Sequence, residues 1–202
     1  IYLCYGNEEY TKNKYVDNIK KKLIDENYEI MNLEIYEGKN IAADQIIDSA
    51  ETMPFMSEYR LLIVKDSGFF KSGKKDESAK ISEYIDKVPS STCIIFMETD
   101  IDKRTALYKK INKKYKVLEF KPLSDNELML LVKDELEKSK INMKKSTMEY
   151  FISIIPEGVE NLLNELQKLI NFKITGEILI EDIDNMCTKS LDIRIFELVK
   201  ML

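Results

Sequence analysis

Histidine is absent from this sequence. That absence removes the usual general base, the commonest zinc ligand and every Ser–His or Cys–His pair, and most hydrolase mechanisms go with them. Cysteine is scarce as well. Cys4, Cys93 and Cys187 lie far apart without a CxxC pair, and two of them sit in strand-like apolar runs, so they read as small buried hydrophobes rather than redox or metal ligands. With only 6 glycines and 4 prolines there is no flexible low-complexity linker, and no internal repeat is visible. Long apolar runs are missing too. Leu61–Val64 and Cys93–Met97 fall far short of the roughly 20 residues that cross a bilayer, and no cationic leader precedes an apolar stretch. A cytoplasmic protein without a membrane partner is the expectation.

What is present is enough apolar residue, 44%, to build the core of one large domain or two small ones across 202 residues. The chain opens at Ile1 and stops at Leu202 inside an apolar, helix-like pattern, and so reads as part of something longer. Its 31 basic and 36 acidic residues leave a net charge of −5, which does not suit a polyanion binder as a whole.

Residues 1–120 alternate short β-like runs with longer helical patterns, which predicts a parallel sheet covered by helices. The strands expected are Tyr2–Tyr5, Ile30–Tyr36, Arg60–Lys65, Thr92–Glu98 and Lys116–Phe120. The third and fourth are rich in Val, Ile and Leu, as strands buried on both faces are. Helices are expected over Glu8–Asn27, Ala42–Met53, Glu77–Val88 and Lys103–Lys114. Lys121-Pro122 breaks the pattern, and every later segment reads as helix. Ser124 and Glu127 form a capping box that opens Asp125–Ser139; Lys144–Ile154, Gly158–Phe172 and a helix opened by Ile180-Glu181-Asp182 follow. The domains expected are 1–120, 121–190 and, from the helix Ile193–Leu202, the start of a third over 191–202.

A nucleotide site in such a fold belongs between the first strand and first helix. The residues there, Gly6-Asn7-Glu8-Glu9-Tyr10-Thr11-Lys12, offer one glycine and two carboxylates where a phosphate needs several backbone N–H groups and no negative charge. Gly68-Phe69-Phe70-Lys71-Ser72-Gly73-Lys74-Lys75 matches GxxxxGK, but Lys75 stands where magnesium needs a hydroxyl, and the loop reads as a surface segment with solvated lysines. Glu98 and Asp100 could pair for metal or acid–base work; without a complement they read as solvated strand-end charges. No catalytic residue, metal ligand or cofactor is expected.

Two features could bind a partner. In Thr52-Met53-Pro54-Phe55-Met56-Ser57 the proline stops the preceding helix, leaving Phe55 and Met56 in a connection; they form either a plug under the loop or an exposed knob. The second feature is the run Lys103, Arg104, Lys109, Lys110, Lys113, Lys114 and Lys116, with no acid among them. It is either a DNA-facing surface or a solvated helix face, since Ala106, Leu107 and Ile111 give the helix the apolar side that folding requires.

Five stretches carry a resemblance: Tyr2–Tyr10, Ala50–Val64, Asp102-Lys103-Arg104, Leu118-Glu119-Phe120 and Asp192–Leu198. Together they resemble the delta-subunit family of bacterial DNA polymerase III. The resemblance implies an AAA+-like α/β domain with a degenerate nucleotide site, a helical lid domain, and a carboxy-terminal collar domain almost wholly missing here. It also implies a clamp-loader subunit that opens the sliding clamp, the β subunit, by binding it, without hydrolysing ATP, and that joins other loader subunits through the collar. DNA contact would be indirect or weak. The family's clamp-contacting positions match Met53, Pro54, Phe55 and Met56, with Phe55 as the wedge, which favours the knob. A proline stands beside that phenylalanine where some relatives carry an aliphatic residue. The rival functions are a degenerate NTPase using Gly73-Lys74 and a DNA-binding module using the basic run.

Overall fold

A computed structural model describes residues 1–156 and 158–188, so the Asp192–Leu198 motif and the helix expected over Ile193–Leu202 lie outside the described residues. The chain divides into two units, Ile1–Lys121 and Pro122–Leu202. In the first, the elements run β1 (Tyr2–Tyr5), α1 (Glu9–Leu23), α2 (Glu29–Asn32), β2 (Leu33–Glu37), α3 (Ala43–Glu51), β3 (Arg60–Lys65), α4 (Lys75–Tyr84), β4 (Thr92–Glu98), α5 (Ala106–Lys114) and β5 (Lys116–Glu119). All five strands are parallel, in the order β2-β3-β4-β1-β5.

The two-residue period of a strand sorts the apolar side chains into two layers. Leu3, Tyr5, Leu62, Val64, Ile94 and Phe96 face a core with Ile46 of α3, Ile81 of α4, and Leu107 and Ile111 of α5. Cys4, Leu61, Ile63, Cys93, Ile95 and Met97 face the opposite side, against Val16 of α1 and Ile24 just beyond it. Strands β3 and β4 are covered on both faces, which is why both read as unbroken apolar runs. Phe69, Phe70 and Phe96 are fully buried, each worth roughly 1.5–3 kcal/mol of transfer free energy. Burial pushes the Cys4 thiol up to about 12, consistent with a packing role.

The second β-run begins later than expected. Ile30 and Met31 are not strand but part of the single helical turn α2, entered through a 3₁₀ turn at Glu26–Tyr28 whose Asp25 side chain accepts the Asn27 amide at 2.9 Å. That Asx-type cap starts a turn which the apolar pattern alone hides.

The second unit holds α6 (Asp125–Ser139), β6 (Ile141–Met143), α7 (Lys145–Ile154), α8 (Val159–Lys173), β7 (Gly176–Ile178) and α9 (Ile180–Met186). The Ser124 amide donates to Glu127 at 2.9 Å, closing the expected capping box. The apolar stripe Leu162, Leu166, Leu169 and Ile170 is buried against Val132, Phe151 and Ile183. This unit is not purely helical: β6 and β7 pair in parallel. Both strands are only three residues long, and each needs a partner remote in sequence, so neither is visible as a local pattern.

Candidate functional site

The loop after β1 is closed by its own backbone. Gly6 N–H donates to the Glu98 carbonyl at 3.0 Å, Phe120 N–H donates to the Tyr5 carbonyl at 2.7 Å, and Glu8 N–H donates to the Phe120 carbonyl at 3.3 Å. Gly6 has φ +126°, and a Cβ there would fall 1.9 Å from the Phe120 oxygen, so only glycine permits this approach. Lys12 is buried, and its ammonium donates to the Gly6 carbonyl at 2.8 Å and to Glu9 Oε1 at 2.8 Å. It also reaches the Glu98 carbonyl at 3.4 Å. Glu8 is buried and accepts the Tyr10 amide at 3.2 Å, capping α1. The Gly6, Glu8 and Tyr10 amides and the Lys12 ammonium are thus engaged within the protein.

Two expectations around this edge need correction. The Gly68–Lys75 loop is not a solvated surface segment throughout, because Phe69 and Phe70 are fully buried core residues and Lys74 donates to the Ile41 carbonyl at 3.1 Å. Lys74 also lies 5.1 Å above the Phe69 ring. Its lysine is an internal strut, while Lys71 and Lys75 remain exposed. Glu98, read as a solvated strand-end charge, is 2% exposed and accepts from Ser67 N at 3.0 Å and Ser67 Oγ at 2.5 Å. Burial raises its pKa, against the lowering effect of those hydrogen bonds. Asp100 does point to solvent, with Lys71 at 3.7 Å. Among the described residues no group of three or more carboxylates or cysteines could hold a metal ion.

The Met53–Met56 connection differs from all of this. Helix α3 ends at Glu51, and Thr52 and Pro54 carry the chain away before β3. Met53, Phe55 and Met56 are 84%, 51% and 73% exposed, and Pro54 is half-buried. Met56 adopts a left-handed backbone, φ +47°, a conformation that a bulky side chain rarely takes. The loop is held from below. Asn32, fully buried, donates to the Phe55 carbonyl at 2.9 Å and accepts the Phe55 amide at 2.7 Å. Tyr28 packs its ring edge-to-face on Phe55, with centroids 6.2 Å apart.

Beneath this sits Arg60, 4% exposed at the start of β3. Its Nε donates to the Ser49 carbonyl at 3.0 Å and its Nη1 to the Met31 carbonyl at 2.8 Å, while Nη2 pairs with Glu34. Ser49 Oγ donates to the second Glu34 oxygen at 2.7 Å. Burial disfavours the Glu34 carboxylate, but hydrogen bonds from Tyr36 and Ser49 and the Arg60 charge prevail and lower its pKa. One guanidinium thus joins the end of α3 to α2. Sequence reasoning missed this α2 side: Ile30 and Met31 are 93% and 58% exposed, yet the pattern places them in a strand. The Asp25 cap is the signal that could have found them.

The basic run is largely neutralised. Lys103 lies 3.5 Å from Glu119, Arg104 2.9 Å from Asp102, and Lys110 and Lys114 2.9 and 2.8 Å from Asp86. Hydrogen bonds from both lysines lower the Asp86 pKa to about 2. Lys109 and Lys113 make no ion pair among the described residues. Leu107 and Ile111 are fully buried, as the amphipathic pattern requires.

Comparison with known proteins gives a consistent set of likenesses. The profile of the family described as DNA polymerase III, delta subunit, matches residues 2–121. The chain is 27% identical to the DNA polymerase III subunit delta of Bacillus subtilis over 207 aligned positions, covering 98% of this chain and 60% of that protein. Among solved structures, the Bacillus subtilis DNA clamp loader delta protein superposes with a TM-score of 0.73 at 27% identity, covering 98% of this chain and 61% of that one. The Thermotoga maritima RuvB Holliday junction branch migration motor gives a TM-score of 0.58 at 9% identity, covering 92% of this chain and 60% of that one, a likeness of fold alone. The chain therefore spans about 60% of the length of the delta proteins it matches.

Proposed function

This chain belongs to the DNA polymerase III delta-subunit family, and from that premise we propose that it acts in a clamp loader by gripping the sliding clamp, the β subunit, through Met53, Pro54, Phe55 and Met56. The observation that carries this reading is the loop itself. Three large apolar side chains are held out to solvent on a backbone fixed at Phe55 by the buried Asn32 amide, with the Arg60 guanidinium tying the end of α3 to α2 beneath it. Exposed aromatic and methionine side chains on a rigid base are what a binding hot spot requires, because little conformational entropy remains to be lost on docking.

Phe55 would enter an apolar pocket on the clamp. A bound subunit shifts a ring between closed and open forms only by its differential affinity for the two, so contacts made better to the open form do the work. Nucleotide chemistry is not needed on this chain, and the loop after β1 supports that view: its Gly6, Glu8 and Tyr10 amides and Lys12 are already partnered. ATP would act through other subunits, joined by a collar domain beginning near residue 191, while residues 1–120 and 121–190 serve as the AAA+-like domain and lid. The degenerate-NTPase alternative loses support because Lys74, in the GxxxxGK loop, is spent on the Ile41 carbonyl. The DNA-binding alternative loses support because Lys103, Arg104, Lys110 and Lys114 are paired, leaving a weak surface at Lys109, Lys113 and Lys116.

The test is Phe55→Ala with binding measured to the sliding clamp encoded by the same genome. Loss of a hot-spot aromatic costs about 2 kcal/mol or more, so affinity should fall roughly 30-fold. Unchanged affinity sinks the assignment.

A further inference from the structure

The large apolar side chains Ile30 and Met31 are exposed on a turn that has no local reason to carry them, and Ile30, 93% exposed, is the more solvent-facing of the two. The turn is not independent of the Met53–Met56 loop. Asn32, which closes α2, holds the Phe55 backbone at both its N–H and its carbonyl. Tyr28, which precedes α2, lies edge-on to the Phe55 ring. Arg60 donates to the Met31 carbonyl with one nitrogen and to Ser49, near the end of α3, with another. The two apolar segments are therefore fastened to one buried polar base.

Acidic residues predominate along the two segments themselves, with Lys20 and the buried Arg60 as the basic groups that reach them. No Lys or Arg stands between residues 23 and 38, or between 40 and 59, whereas acids flank both segments: Asp25, Glu26 and Glu29 on one side, Glu51 and Glu58 on the other. Lys20 engages Glu29 at 3.1 Å, and Tyr84 donates to Glu51 at 2.6 Å. Glu26 and Glu58 are exposed and in no ion pair among the described residues.

We propose that the docking surface is composite: Ile30 and Met31 make a second apolar contact beside Phe55, and Glu26 and Glu58 border it, so that it fits a clamp groove with an apolar floor and a basic rim. This inference rests on the reading of Met53–Met56 as the clamp grip. It adds a partner chemistry which that reading does not contain. The apolar contacts supply residence time, and the acidic border supplies steering, which salt screens over a Debye length of about 8 Å at physiological ionic strength.

Four full-length proteins decide it: the parent, Ile30→Ser with Met31→Ser, Glu26→Lys with Glu58→Lys, and Phe55→Ala as reference. Binding to the purified cognate clamp ring is followed by surface plasmon resonance at low and high salt, and folding by circular dichroism. The double serine variant should bind roughly tenfold more weakly through faster dissociation, with its melting temperature unchanged because both side chains are exposed. The charge-reversed variant should associate more slowly and lose the parent's salt dependence. Parent-like binding by the serine variant, while Phe55→Ala fails to bind, overturns the second contact and leaves the grip at Phe55 standing. Parent-like salt dependence in the charge-reversed variant overturns the basic rim. Parent-like binding by Phe55→Ala itself overturns the reading beneath the inference, and the inference with it.

Discussion

The side-chain amide of Asn32 serves both backbone polar groups of Phe55, donating to its carbonyl at 2.9 Å and accepting its N–H at 2.7 Å. Asn32 is 23 residues away in sequence and fully buried, so a loop with no regular structure of its own borrows its conformation from a side chain. The same amide also reaches the Tyr28 carbonyl at 3.2 Å.

Replacing Asn32 with alanine leaves those groups without a partner, and each buried unsatisfied group costs about 1–3 kcal/mol. The expected result is a loss of about 2 kcal/mol in urea unfolding, with fast amide exchange at Phe55. Asn32→Asp should recover only part of this, because a carboxylate accepts the Phe55 N–H but cannot donate to the carbonyls. Full recovery by aspartate would show that the acceptor half suffices.

Arg60 is the larger liability. Arg60→Met removes the donors for the Ser49 and Met31 carbonyls and the partner of Glu34 in one step, and a loss of about 2–4 kcal/mol is expected by chemical denaturation. Arg60→Lys should rescue little, since one ammonium cannot span three directions that a guanidinium fork reaches. Glu34→Gln should cost less than either, its side chain being 40% exposed and in contact with water.

Glu98 sets a pH dependence of opposite sign to the usual carboxylate. Its pKa is raised in the folded protein, chiefly by burial, so the folded state holds the proton more tightly than the unfolded state does. Its contribution is therefore complete below the ordinary glutamate value of about 4.3 and is lost as pH rises through the raised folded value. Stability of Glu98→Gln should decline less steeply than the parent's from pH 4 to pH 8. Identical slopes in thermal melts across that range would remove Glu98 from the account.

Nucleotide should find no site on this chain. Isothermal calorimetry with Mg-ATP is expected to give no binding heat, because the one glycine after β1 is pressed against Phe120 and Lys12 is saturated by Gly6 and Glu9. Tight binding would restore the NTPase reading.

Much of the architecture is legible in the residues, and the parts that are not share a cause. Strands β3 and β4 have the bounds expected of them, one residue beyond each end of their apolar runs, because burial on both faces leaves no alternation to misread. α6 is announced by Ser124 and Glu127. Ile30 and Met31 are misplaced because a short apolar run does not distinguish a strand from a helical turn. The burial of Glu98 depends on Ser67, 31 residues away, and the pairing of β6 with β7 depends on strands that are far apart in sequence. The apolar character of Met53–Met56 is plain from the residues, but they leave plug and knob open, and the resemblance alone favours exposure. The fold supplies the physical reason in Asn32, which it brings to the Phe55 backbone from 23 residues away.

The contact between Gly6 and Phe120 also bears on the history such a chain can have. Adding a lysine or a glycine would not by itself make a phosphate-binding loop here, since the Phe120 backbone, just beyond β5, occupies the space and Lys12 is bonded to that same loop. Each change that would free one of these groups first strips partners from another. A variant that frees one of these groups is therefore expected to lose stability before it gains any hold on phosphate, so the loop after β1 resists stepwise change.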